Sequence, residues 1–268
     1  MYTTLVKKIG LVFPVLTMVM IQTVKADMMF YYSAAILPSI IASNLAKDPC
    51  LDPIVYNDTT YSCVTSPYTA KVWLDRNLGA AQVCTALDDA LCYGDYYQWG
   101  RNFDEHEDST SATTDILAVD VGIVGHGDFI TVDIDPLDWA DGGVDDNGTI
   151  RAANWSKLDG SSVCPVGFRV PTVDELKAEL FDAGSAEISN SNDAFESFLK
   201  FPSAGYRGDG SADMISVDLS GWVWASSVND TNSSAFAWVP EGANHPLPSA
   251  GYSYGSRAYG LSVRCLMD

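Results

Sequence analysis

Hydrophobic and polar positions along this chain form short runs, broken repeatedly by small clusters of glycine, serine, asparagine and aspartate. The most definite pattern spans Cys164 to Leu180. Phe168 and Val170 flank Arg169 in a stretch that reads as extended, and Pro171 stops any ladder from continuing. Thr172 and Glu175 then make a Thr-x-x-Glu capping box, the signature of a helix start. Val173, Leu176, Leu180 and Phe181 fall on one face at helical spacing, while Asp174, Lys177 and Glu179 fall away from it. A strand feeding an amphipathic helix is therefore expected here.

The remaining elements are shorter. Val72 and Leu74 alternate with Trp73 and Asp75, predicting a strand in Lys71–Leu78 that Gly79 ends. Tyr93–Arg101 reads as a short aromatic helix packing Tyr93, Tyr96 and Tyr97. From Asn102 to Ser162 the chain is acidic and loop-like, with a short strand expected at Phe129–Val132. Ala194, Phe195, Phe198 and Leu199 mark a second short helix. Strands are expected on either side of the turn Gly208–Gly210, then at Trp222–Ser227 and Ala235–Val239 around a polar turn at Asn229–Ser234. Gly251–Gly260 reads as a glycine- and tyrosine-rich loop, and Leu261–Cys265 as the last strand. This pattern is α+β, with small antiparallel sheets, two helices and long loops.

Composition adds a compartment. Lys7 and Lys8 precede an apolar run from Ile9 to Val24, and Val24-Lys25-Ala26 offers a cleavage site, so residues 1–26 read as a signal peptide. Residues 27–48 hold a second apolar stretch, Met28–Ala42, and a linker; the domain itself is expected over residues 49–268. An uncleaved N-terminus would be the chain's only membrane attachment, though each apolar run is shorter than a spanning helix needs. The net charge is −20, and loss of the leader's three lysines takes it to −23. Such a chain is repelled by nucleic acid and anionic lipid.

Six cysteines in an exported chain should pair, and six allow fifteen connectivities. Spacing favours Cys50 with Cys63 and Cys84 with Cys92 as local loops, leaving Cys164 for Cys265. The carboxylates of 133–147 suggest calcium, but the EF-hand spacing is missing and a solvated loop is expected. His106, within Asp104-Glu-His-Glu-Asp108, has no second histidine at metal-binding spacing. No cofactor is expected, with calcium the alternative.

Six segments resemble, in order, the Fibrobacter succinogenes major paralogous domain, a bacterial family with a C-type-lectin-like fold. They are VWLDRNLGA at Val72–Ala80, YGDYYQWGR at Tyr93–Arg101, GHGDFI at Gly125–Ile130, CPVGFRVPT at Cys164–Thr172, AGYRGDG at Ala204–Gly210 and AYGLSVRC at Ala258–Cys265. The resemblance implies a disulfide-stabilised exported domain whose first and last strands pair, with two helices flanking a small sheet and long loops at one end. The tripeptides that bind sugar through calcium in C-type lectins are missing.

The function expected is a secreted or cell-surface binding or adhesion module, not an enzyme, meeting a glycan or protein through its C-terminal loops. Candidate contacts are the aromatic faces of Trp224, Trp238, Tyr252 and Tyr254, the hydrogen-bonding Asn229, Asn232 and His245, and the charged Arg257. Residues two apart share a strand face, so at least one of Trp222 and Trp224 should instead be core. The alternatives are a subunit of an extracellular assembly, with oligomerisation through Met28–Ala42, and a formylglycine-generating-like enzyme using Cys265 as a thiol. Disulfide bonding of Cys265 would remove that nucleophile.

Overall fold

The capping box forms as its residues require. Thr172 Oγ1 accepts a hydrogen bond from the Glu175 amide at 3.3 Å, and the Glu175 carboxylate accepts one from the Thr172 amide at 2.9 Å. Glu175 also meets Arg169 at 2.7 and 2.8 Å and Lys71 at 2.9 Å, which fastens the helix start to the strand before it. Burial raises the Glu175 carboxyl, but Arg169, the Thr172 amide and Lys71 outweigh it and hold the group well below the usual range.

The computed structural model describes residues 50, 52–134, 137–229, 233–239 and 250–268. The expected leader 1–26, the segment 27–48, Asn232 and His245 lie outside the described residues. The described part belongs to one unit, Pro49–Asp268.

In chain order, β1 (Ile54–Tyr56) and β2 (Thr59–Tyr61) form a hairpin. Its turn puts Asn57 and Asp58 at φ 45° and 57°, the left-handed region these two side chains tolerate. β3 (Cys63–Thr65) pairs with β4 (Val72–Leu74), and β5 (Tyr97–Gln98) follows a single 3₁₀ turn at Ala90–Cys92. β6 (Thr113–Thr114) and β7 (Phe129–Ile130) pair in parallel. Then come α1 (Thr149–Trp155), β8 (Phe168–Arg169), α2 (Val173–Leu180) and α3 (Ser191–Glu196). The chain closes with β9 (Tyr206–Arg207), β10 (Met214–Ile215), β11 (Gly221–Val228), β12 (Ser233–Val239), β13 (Gly251–Ser256), β14 (Gly260–Leu261) and β15 (Leu266–Met267).

Three small antiparallel sheets organise these pieces, in the orders β3-β4-β15-β8, β10-β9-β14-β5 and β11-β12-β13. The last strand, β15, lies between β4 and β8, so the end of the chain is at the centre of its sheet. All six cysteines are paired as their spacing suggests: Cys50–Cys63, Cys84–Cys92 and Cys164–Cys265. The third closes 101 residues of chain beside β8 and β15. One core cluster gathers Trp99, Trp155, Phe168, Trp224, Phe236 and Val263; a second packs α2 and Phe201 against Val223, Ala225 and Ala237.

Several expectations are corrected. Tyr93–Arg101 is not a helix, because Gly94 and Gly100 sit at φ +77° and +81° and break it on both sides. Leu261–Cys265 is not one strand: Ser262 O accepts from Trp224, Val263 O from Leu78 and Cys265 O from Leu74, so successive residues serve different neighbours. The loop expected at Gly251–Gly260 begins as β13, its tyrosines alternating with small residues. Glu179 is buried on the flank of α2, accepting from the hydroxyls of Ser66 and Thr69 and from Trp73 Nε1, so neutral donors keep a carboxylate inside.

The acidic segment differs most from expectation. Asp138 and Asp145 are buried with Arg151 and Arg257. Arg151 reaches Asp138 at 2.5 and 2.8 Å and Asp145 at 2.9 Å, while Arg257 reaches Asp138 at 3.0 Å. Both guanidiniums lie over the Trp99 ring, at 5.4 and 5.1 Å. Within residues 133–147 two described acids, Asp138 and Asp145, are thus held to the interior by charge, while Asp133, Asp141 and Asp146 face solvent as expected of a solvated loop.

Two outcomes follow from these clusters. Glu175→Gln should lower stability near neutral pH. Because the folded carboxyl is depressed, the wild-type advantage is present above about pH 4.3 and lost as pH falls further; urea unfolding at stepped pH measures it. Asp138→Asn leaves two buried guanidiniums underpaired and should cost about 3–5 kcal/mol in the same assay.

Candidate functional site

Alternation along the three-stranded sheet decides which aromatic residues reach solvent. Trp222 pairs with Trp238 and Trp224 with Phe236, so these four rings share one face, which lies on the main core cluster. Val223 and Ala237 occupy the opposite face, beneath Leu176 and Leu180 of α2. Tyr252 of β13 stands opposite Ala237 and therefore belongs to that second face, with Tyr254 two residues on. Among the described residues β13 pairs on one side only, and its tyrosines remain 46% and 43% exposed. Their ring centroids are 6.1 Å apart, edge to face.

The candidate contacts accordingly divide. Tyr252 and Tyr254 form an exposed pair, and Asn229 is exposed where β11 ends. Trp224 is fully buried and donates from Nε1 to the Tyr97 carbonyl at 2.7 Å. Trp238 is buried in the same cluster, since its register with Trp222 turns it inward. Arg257 is also buried: besides Asp138 it reaches the Asp146 carbonyl at 2.8 Å and Ser234 Oγ at 3.2 Å. Burial pushes its guanidinium down, and Arg151 adds to that while Asp138 opposes it. These three are parts of the interior, not of a contact surface. Asn232 and His245 are not among the described residues.

Sequence reasoning missed Lys177. Its ammonium lies 4.7 Å from the Tyr252 centroid, a cation-π contact that places a positive charge beside the tyrosine pair. The helical phase put Lys177 on the polar side of α2; only the strand at Gly251–Ser256, hidden by its glycines, shows which residue it meets.

One trio has the composition of a metal site. Ligand atoms of Asp104, His106 and Glu107 lie within 4.8 Å of one another. His106 is fully buried, and its Nε2 accepts from the Gln98 amide at 3.1 Å, so the proton belongs on Nδ1, which faces Asp104 Oδ1 at 2.6 Å and Glu107 Oε2 at 3.2 Å. A cation on Nδ1 would displace that proton and leave Nε2–H aimed at an amide donor, contrary to the acceptor partner a metal-bound imidazole needs. Arg101 adds a bond to Asp104 at 2.8 Å. Burial raises the Asp104 carboxyl, but His106 and Arg101 together hold it below its ordinary range. The donor set therefore fits a hydrogen-bonded cluster, not a resident ion.

No family model, curated protein or solved structure matches the chain. What the residues define is a mixed α+β domain, stabilised by disulfides that belong to an oxidising compartment, with an aromatic pair on a sheet edge. No helix among the described residues is long and apolar enough to cross a membrane.

Millimolar zinc or calcium should leave the unfolding midpoint unchanged, because a ligand binding the folded state well below its working concentration would raise it. Thermal scans with each ion and with chelator measure this, and a metal-dependent rise abolished by His106→Gln would contradict it.

Proposed function

We propose that the chain is a secreted or cell-surface, non-catalytic binding module of the Fibrobacter succinogenes major paralogous type, on a C-type-lectin-like scaffold. The observation that carries the reading is the Tyr252–Tyr254 pair: two large rings left half exposed on a sheet edge in a domain that buries Trp73, Trp99, Trp139, Trp155 and Trp224 completely. Tyrosines of this kind give flat contact area at small entropic cost, suited to sugar rings or to a protein surface. Lys177 supplies a positive charge beside Tyr252.

Further support comes from the scaffold. The terminal strand β15 pairs with β4, inside the first segment of the resemblance, and the Cys164–Cys265 bond ties two other segments together. Cys265 is a disulfide sulfur, so it is no thiolate nucleophile, which favours binding over chemistry of the formylglycine-generating kind. The three disulfides, together with the leader pattern of residues 1–26, support export.

A glycan array and a cell-surface protein screen, run with the full chain and with Tyr252→Ala/Tyr254→Ala, test this reading. Saturable binding should fall by about tenfold or more in the double variant, in the range expected when interface aromatics are truncated. Binding that survives the double substitution unchanged would place the contact surface elsewhere.

A further inference from the structure

Away from the tyrosine edge, the β1–β2 hairpin and the segments before and after β5 enclose a partly open cavity of about 200 Å³. Tyr56, Tyr61, Tyr97, Leu78 and Phe103 supply its apolar walls, Asn57 and Thr59 its polar rim. The Asp95 carboxylate also lines it, lying against Gly79, where φ is +76° and a Cβ would occupy the carboxylate's place. The space is below the roughly 300–1,000 Å³ of cavities that hold drug-sized ligands, so an occupant would be small.

Asp95 is only partly buried, and its partners differ from those of the ion-paired arginines. Arg101, Arg151 and Arg257 each meet a carboxylate. Asp95 forms no ion pair among the described residues; its side-chain partner is the Tyr97 hydroxyl, at 3.3 Å. The nearest acids make matters worse, since Glu107 and Asp108 repel it, and the phenols of Tyr61, Tyr96 and Tyr97 carry no compensating charge. Arg76 lies 5.1 Å from the Tyr61 ring but is committed to Asp75 and to the Thr60 carbonyl. A carboxylate walled by tyrosine rings and lacking a base is the complement of an ammonium group: the charge meets the carboxylate, and the carbons beside it meet the ring faces.

We propose that this cavity is a second binding site, for a small organic ammonium ion, with Asp95 as its counter-charge and Tyr56, Tyr61 and Tyr97 as its aromatic wall. The site is independent of the Tyr252–Tyr254 edge, and either can fail without the other. Burial, followed by Glu107, pushes the Asp95 carboxyl up to about 7. Occupancy therefore rises as pH passes upward through that value and the carboxylate forms.

The test is an NMR titration of the full ¹⁵N-labelled chain with n-butylammonium, with n-butanol as the neutral control and sodium chloride matching ionic strength. At about pH 8.5 the Gly79 and Asp95 amides should shift saturably with the amine alone, and binding should weaken about tenfold at about pH 5.5 and in Asp95→Asn. Amide signals of Asp95→Asn away from the cavity, in β11 and β12, should match those of the unsubstituted chain, which shows that the fold survives the substitution. No saturable shift with the amine, equal shifts with n-butanol, or unaltered affinity in a folded Asp95→Asn would each overturn the proposal.

Discussion

Buried guanidinium groups are the interaction on which this structure depends. Arg101, Arg151, Arg207, Arg257 and Arg264 are all nearly inaccessible. Most of the described residues lie in loops, and loop carbonyls inside a protein need donors that neither helix nor sheet supplies. Each arginine brings five. Arg101 donates to the carbonyls of His126 and Asp128; Arg207 to those of Asp108, Ser111 and Ala212; Arg264 to those of Leu74 and Leu199. Arg264 meets only neutral oxygens, and burial pushes it down to about 9, still protonated at neutral pH. Residues far apart in sequence are joined by one side chain, which adds to the joins made by short strands such as β14 and β15.

That arrangement explains how so little regular structure presents defined surfaces. The disulfides shorten the unfolded chain's freedom, and the arginines fix the loops in the folded one. The tryptophans cooperate: Trp139 donates to the Trp99 carbonyl and Trp155 to that of Arg101, so the residues around β5 are held on several sides. On this frame the edge strand leaves two tyrosines to solvent, and the hairpin leaves a cavity with an unpaired acid. The proposed functions use these two features, a half-exposed aromatic pair and a carboxylate without a basic partner among the described residues.

Much of the frame was legible in the sequence. Thr172 and Glu175 announced α2 because a capping box is a local interaction between residues three apart. The cysteine pairing was readable because two spacings were short and left one partner each. Burial of Trp224 and Trp238 was only half legible: alternation shows that Trp222 and Trp224 share a face, but not which face the rest of the chain will cover. Arg257 and Asp138 were illegible, since they meet across 119 residues and an aspartate-rich run has the same composition whether solvated or buried. Gly251–Ser256 was misread because glycine is a loop signal, while a strand formed by a neighbour's pairing carries none of its own.

Native-state hydrogen exchange tests the central claim most directly, that buried arginines make the long acidic segment part of the cooperative fold. The amides of Ala118, Asp141 and Arg151 bond to Trp139, Ala118 and Asp145, outside any long helix or sheet. The account predicts that they exchange with the same protection as Trp224 in the central sheet, through global unfolding. Exchange of these amides through a much easier local opening, with the sheet still protected, would contradict it.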